Sequence, residues 1–102
     1  MTREQTAVTL GRIYRACCDA AAGTPRAAAV QRLGSRYFRA PVQTLNKLRL
    51  AIGGEFPPRA VQLLNKLDPA DLEAMDAPGR PLPGALQGRA IMGYYTGTAG
   101  DD

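Results

Sequence analysis

Proline and glycine cut this chain so often that its elements must be short. Breaks stand at Gly23, Pro25, Gly34, Pro41, Gly53-Gly54, Pro57-Pro58, Pro69, five positions within 78–84, and Gly97. Proline lacks the N–H that an interior helical residue donates, and glycine costs about 1 kcal/mol relative to alanine there. Between the breaks stand seventeen alanines, leucines at helical spacing and few β-branched residues, a mixture that favours helix over sheet. With 102 residues the chain suffices for one domain burying roughly 60–70% of its unfolded surface. The expected fold is all-α: a compact bundle of about five to six short helices, one domain over 1–97, with 98–102 as a disordered tail.

Local signals place the helices. Thr2, with Gln5 three positions later, predicts a capping box opening a helix to Ala22, with Ala7, Leu10, Tyr14, Cys17 and Ala21 inward. Gly11 lies inside it, and the close approach of another helix would explain that glycine. Thr24-Pro25 predicts the start of a second helix carrying Ala27, Val30 and Leu33 inward, and 35–40 reads as a connector or a single turn. A third helix is expected over 41–52 with Val42, Leu45, Leu48 and Ile52 inward, and a fourth to about Leu67 with Val61, Leu64 and Leu67 inward. Asp68-Pro69 caps a shorter fifth carrying Leu72 and Met75. The proline-rich stretch 76–84 is a strap or a loop, and a last helix spans about 85–95 with Leu86, Ala90 and Tyr94 on one face. Gly88 and Gly93 there suggest tight packing. The heptapeptide Val-Gln-x-Leu-Asn-Lys-Leu occurs at 42–48 and again at 61–67, either as two amphipathic helices of similar composition or as a local duplication forming a helix hairpin.

Catalytic chemistry finds little support. Histidine is absent, which removes Ser-His-Asp and Cys-His arrangements and His-ligated zinc. Cys17 and Cys18 are adjacent on a helix, a placement that suits neither a disulfide with each other nor a metal site. Asp68, Asp71, Glu73 and Asp76 form the one carboxylate cluster, best explained by helix capping and first-turn placement. Ser35 is the sole serine, and no phosphate-binding glycine fingerprint is present. The reading is of a non-enzyme with no cofactor and no metal. No stretch has the length and apolarity of a membrane span, and the start lacks a signal peptide's apolar core, so the chain reads as cytoplasmic with no membrane partner.

Charge is distributed unevenly. The formal net charge is +4, from 13 Lys plus Arg against 9 Asp plus Glu. Residues 1–50 hold nine basic residues against Glu4 and Asp19, a net of +7, while 51–102 carry −3. Arginine supplies eleven of the thirteen basic residues, and its fork suits phosphate and carboxylate. Arg32, Arg36 and Arg39 would share one face of a helix continuing past Gly34, and they cluster in any compact connector. Tyr37 and Phe38 interleave with them, Phe38 being read as a core anchor. Basic residues without base-edge partners give affinity for a polyanion with no sequence preference.

Leu10-Gly11-Arg12-Ile13-Tyr14, then Arg36-Tyr37-Phe38 with Pro41 after it, the leucine-rich helix at 45–52, and Gly93-Tyr94-Tyr95 occur in an order that resembles the C-terminal region of the large subunit of type I-C CRISPR Cascade. In that family the region is also made as a separate small subunit. The resemblance covers about 8–95. It implies a non-catalytic helical subunit of an RNA-guided antiviral surveillance complex, packing along its belly against the large and backbone subunits and another copy of itself. It further implies that such a subunit steadies the R-loop around the guide RNA–target DNA duplex through contacts to DNA, chiefly the displaced non-target strand. Candidate nucleic-acid-binding residues are Arg36, inside a matching motif, with Arg12, Arg15, Arg32, Arg39, Lys47 and Arg49 chosen by charge. Two other readings share this surface: a protein-interaction module meeting acidic partners without touching DNA, and a free-standing DNA-binding regulator of helix-turn-helix type, which lacks a clear recognition helix.

Overall fold

The first helix organises the rest. In a computed structural model describing residues 1–97, α1 (Arg3–Ala21) is followed by α2 (Ala27–Arg32), α3 (Gly34–Arg39), α4 (Pro41–Ala51), α5 (Pro58–Leu64), α6 (Pro69–Glu73) and α7 (Gly84–Thr96). The tail expected over 98–102 lies outside the described residues. The fold is all-α, a globule of 33 × 30 × 22 Å with no strand among the described residues. Its α1 begins at the expected box: Gln5 N donates to Thr2 Oγ1 at 3.1 Å and Thr2 N to Gln5 Oε1 at 2.9 Å. Ala7, Leu10, Ile13, Tyr14, Cys17 and Ala21 are all buried along one side.

Against that side lies α7, so close that side chains cannot separate the two backbones. A Cβ on Gly11 would stand 1.8 Å from Ala90 O, and one on Gly93 2.1 Å from Val8 O. Only glycine permits such an approach. Gly88, expected to serve the same purpose, faces open space instead. It lies outside the face that carries Leu86, Ala90 and Gly93 inward.

Among the described residues seven helices stand where five to six were expected, because the stretch read as a connector or a single turn contains a six-residue helix, α3. Between α2 and α3 the break is one residue wide, at Leu33, which itself keeps helical backbone angles of φ −82 and ψ −8. Tyr14 explains it. The Tyr14 hydroxyl donates to Val30 O at 2.7 Å, taking an acceptor that a continuing helix would offer to Gly34 N. A Cβ on Gly34 would lie 3.1 Å from that hydroxyl. The start of α2 also moves: Thr24 Oγ1 accepts from Arg26 N and donates to Ala21 O, so Thr24-Pro25 forms a turn and the helix opens at Ala27.

Two inward stripes shift by one residue. In α4 the buried positions are Pro41, Thr44 and Leu48, with Val42, Leu45 and Ile52 only half-buried; in α5 and its exit they are Ala60, Leu63 and Leu67, leaving Val61 exposed. The two heptapeptide copies thus bury equivalent positions, Thr44 with Leu48 and Leu63 with Leu67. They form no hairpin, since α4 packs chiefly on α3 and α5 on α1. An aromatic cluster joins α1, α3 and α7: Tyr14 stacks on Tyr37 at 4.9 Å between centroids, and Phe38 meets Tyr14 and Tyr94 edge-on at 5.5 and 5.8 Å. Tyr37 is fully buried, its hydroxyl donating to Leu10 O.

Candidate nucleic-acid interface

The corner where α3 meets α4 is held by the strap that follows α6. The N-cap of α4 is Ala40, which has no side chain able to cap, and Pro41 at the first position has no N–H to satisfy. The next two amides find Asp76: Val42 N donates to its Oδ1 at 2.9 Å and Gln43 N to its Oδ2 at 3.1 Å. Thr44 N then closes on Ala40 O, so every donor of the first turn is paired. Asp76 is only 4% exposed, and its buried charge is met by these amides, by Gln43 Nε2 at 3.0 Å and by the positive end of the α4 dipole. It is a structural cap supplied from 33 or 34 residues away.

From Asp76 the strap turns tightly. Ala77-Pro78-Gly79-Arg80 places proline and glycine where a type II turn requires them, with Gly79 at φ +74 and Arg80 N donating to Ala77 O at 2.8 Å. Ala77 N returns a bond to Arg80 O, Gln43 Nε2 donates to Ala77 O at 2.7 Å, and Leu82 N donates to Arg39 O at 2.8 Å. Leu82 itself is buried in the core. The stretch 76–84 is therefore an ordered strap bonded to both α3 and α4.

This arrangement sorts the candidate residues. Arg32, Arg36, Arg39 and Lys47 are exposed, and their side chains have no hydrogen bond or ion pair among the described residues. Arg36 and Arg39 share a cleft of about 330 Å³ with Ala40, Gln43, Gly79, Arg80 and Pro81. Arg80, likewise exposed and without such a partner, was missed because it belongs to the net-acidic half. The available signal was a Pro-Gly turn delivering an arginine. Arg32 and Lys47 do not line the cleft.

Three candidates are placed otherwise. Arg15 spends its guanidinium internally: Nε lies 3.0 Å from Asp19 Oδ1, a terminal nitrogen donates to Tyr94 O at 3.2 Å, and the group sits 5.3 Å from the Tyr94 ring centre. Arg49 donates to Gly54 O and Asn46 Oδ1, both at 2.8 Å, closing the end of α4. Arg12 is half-buried, and its Nε is buried with no hydrogen-bond partner among the described residues. It lines a different and larger cleft of about 600 Å³, where Lys66 and Arg89 mix with Glu4, Asp68 and Asp71. Neither aromatic beside the arginines is free to stack on a base, since Tyr37 is buried and Phe38 is packed into the aromatic cluster.

Elsewhere the polar chemistry is structural. Asp71 Oδ2 accepts from Asp68 N at 3.0 Å, and its other oxygen lies 3.9 Å from the amino terminus. Burial pushes the Cys17 thiol up to about 12 and raises that of Cys18, which opposes thiolate formation near neutral pH. Among the described residues no group of His, Cys, Asp or Glu could hold a metal ion, and no helix is long and apolar enough to cross a membrane. Comparison with protein-family models, curated proteins and solved structures returns no match.

Proposed function

We propose that this chain is a non-catalytic, cytoplasmic helical subunit that binds nucleic-acid backbone without reading sequence. In its specific form the proposal is a small subunit of a Cascade-type surveillance complex, contacting the displaced DNA strand of the R-loop and packing against the large and backbone subunits and a second copy of itself. One observation carries the DNA-binding half: Arg32, Arg36, Arg39 and Lys47 project from α2, α3 and α4 with no ion pair to an acid among the described residues. Free guanidinium and ammonium groups on a rigid frame suit phosphates and give no base preference by themselves. The specific assembly rests on the ordered motifs from Leu10 to Tyr95.

The test is charge reversal in the assembled complex. Replacing Arg32, Arg36 and Arg39 together with Glu should lower target-DNA affinity and R-loop lifetime while assembly persists. Unchanged affinity would overturn the DNA role. Salt dependence gives a second reading: four backbone contacts on a single strand contribute a log–log slope of about −2.8.

The protein-interaction reading without DNA contact is favoured by the outer side of α7. There Ile91, Met92 and Tyr95 are exposed, Tyr95 by 71%, with the exposed Arg89 three residues from Met92. Large apolar side chains left exposed together on one helix are the kind of surface a partner protein covers. A salt slope untouched by the arginine changes, with assembly lost on Met92→Asp, would select that reading.

A further inference from the structure

We infer that Arg36, Arg39 and Arg80 form a prebuilt seat for one phosphate of a nucleic-acid backbone, with the strap 76–84 setting its shape. The inference rests on the nucleic-acid reading above and adds to it a defined contact, a residue from the opposite half of the sequence and a positioning device.

Two separate segments bring the arginines together. Arg36 and Arg39 stand three residues apart near the end of α3, and Arg80 closes the Pro-Gly turn of the strap, all three lining the same cleft of about 330 Å³. None has an ion pair or hydrogen bond from its side chain among the described residues. Asp76, which caps α4 behind this cleft, is buried, accepts from Val42 N, Gln43 N and Gln43 Nε2, and forms no ion pair with the three arginines. Glu73 shares the neighbouring cleft with Arg80 without forming an ion pair. Three guanidinium groups lining one shallow concavity can each donate to the same oxyanion through charge-assisted hydrogen bonds.

The remaining lining argues for backbone and against base recognition. Ala40, Gly79 and Pro81 have no side-chain donors, and Gln43, the one amide, commits its nitrogen to Asp76 and Ala77. Arg39 and Arg80 also cannot drift apart freely, because Leu82 N holds Arg39 O and the Ala77–Arg80 turn is bonded to Gln43. Such preorganisation removes part of the ordering cost of binding. Asp76, Gln43 and Leu82 are accordingly positioning residues, acting through the strap.

The experiment uses the full chain labelled with ¹⁵N and two probes. Inorganic phosphate is titrated while the arginine Nε–Hε resonances are followed, and a mixed-sequence single-stranded oligonucleotide is titrated by fluorescence anisotropy at several salt concentrations. The resonances of Arg36, Arg39 and Arg80 should shift together with one apparent affinity for phosphate. Arg80→Ala should lower oligonucleotide affinity about 3- to 10-fold and reduce the salt slope by about 0.7, the value of one single-strand contact. Arg80→Lys should recover part of the affinity, and Arg89→Ala, outside the cleft, should leave the joint phosphate response intact. Salt-dependent strand binding that is indifferent to Arg80→Ala would overturn the seat and leave the nucleic-acid reading standing. A joint phosphate response with no strand binding would overturn the backbone as its ligand, and with it the broader reading. Equal binding of polyglutamate and oligonucleotide would overturn the preference for phosphate.

Discussion

The α1–α7 crossing and the α3–α4–strap corner solve opposite problems. At the crossing, Gly11 and Gly93 remove side chains altogether, and two backbones meet with almost nothing between them. At the corner, the chain is held by polar bonds: a buried carboxylate capping a distant helix, a Pro-Gly turn, and a strap amide on the Arg39 carbonyl. The first region tolerates no added atom. The second tolerates exposed cations without a partner among the described residues on its rim, because its shape does not depend on them. Rigidity through backbone packing and rigidity through hydrogen bonds thus leave different surfaces free: the cleft beside the crossing mixes Arg12, Lys66 and Arg89 with Glu4, Asp68 and Asp71, while the corner cleft is lined by arginines without acids.

The largest effect expected from breaking this contrast comes at the crossing. Gly93→Ala should destabilise the fold by more than about 3 kcal/mol, the upper range for overpacking, since the new methyl group meets a carbonyl oxygen and not a mobile side chain. Gly11→Ala should do the same. Gly88→Ala, on the open side of α7, should instead add up to about 1 kcal/mol through helix propensity. Urea denaturation of the three variants checks the order. A mild Gly93→Ala would mean that α1 and α7 separate more easily than their contact indicates.

A second, smaller contrast appears at alkaline pH. Burial raises Tyr14 and Tyr37 above the ordinary tyrosine range and pushes Cys17 up to about 12. The folded chain therefore holds these protons more tightly than the unfolded chain, where thiol and phenol titrate near about 8.5 and 10. Their contribution is complete below those values and is lost as pH rises through the folded ones. The urea midpoint should stay level to about pH 8 and fall steadily beyond it, with Cys17→Ala reducing the early part of the decline. A midpoint unchanged at about pH 11 would show that the α1 side admits water.

How much of this was legible depended on distance along the chain. The Thr2–Gln5 cap was readable because both partners lie within one turn, and Gly11 was readable as a close approach because nothing else justifies glycine inside α1. Gly88 misled, since sequence shows a glycine but not which way its position faces. Val61 misled for a related reason, since Ala60 is small enough to be overlooked as the inward residue yet is fully buried, while Leu64 does pack against the core half-buried. The helix at 34–39 was hidden by Gly34, whose role is to admit the Tyr14 hydroxyl. At the site, the exposure of Arg32, Arg36, Arg39 and Lys47 was legible from charge. The internal use of Arg15 and Arg49 was partly so, Arg15 through its Asp19 spacing. Arg80 and Asp76 were not, because their roles arise from a contact between segments more than thirty residues apart.

The smallest effect in stability is the most informative about the corner. Asp76→Ala removes the cap of α4 and leaves the part-buried amides of Val42 and Gln43 without their acceptor, a loss of about 1–2 kcal/mol. Thr2→Ala removes the comparable cap of α1 at about 1 kcal/mol. The two differ in what else they should change. Asp76→Ala makes the chain one unit more positive, so charge counting alone predicts tighter binding of a single-stranded oligonucleotide. If the strap positions Arg80 against Arg36 and Arg39, affinity should fall instead, together with hydrogen-exchange protection at Val42 and Gln43. Thr2→Ala should leave both unchanged. Tighter binding by Asp76→Ala, measured where both variants remain folded, would mean that the corner acts as a diffuse basic surface whose geometry is irrelevant to its ligand.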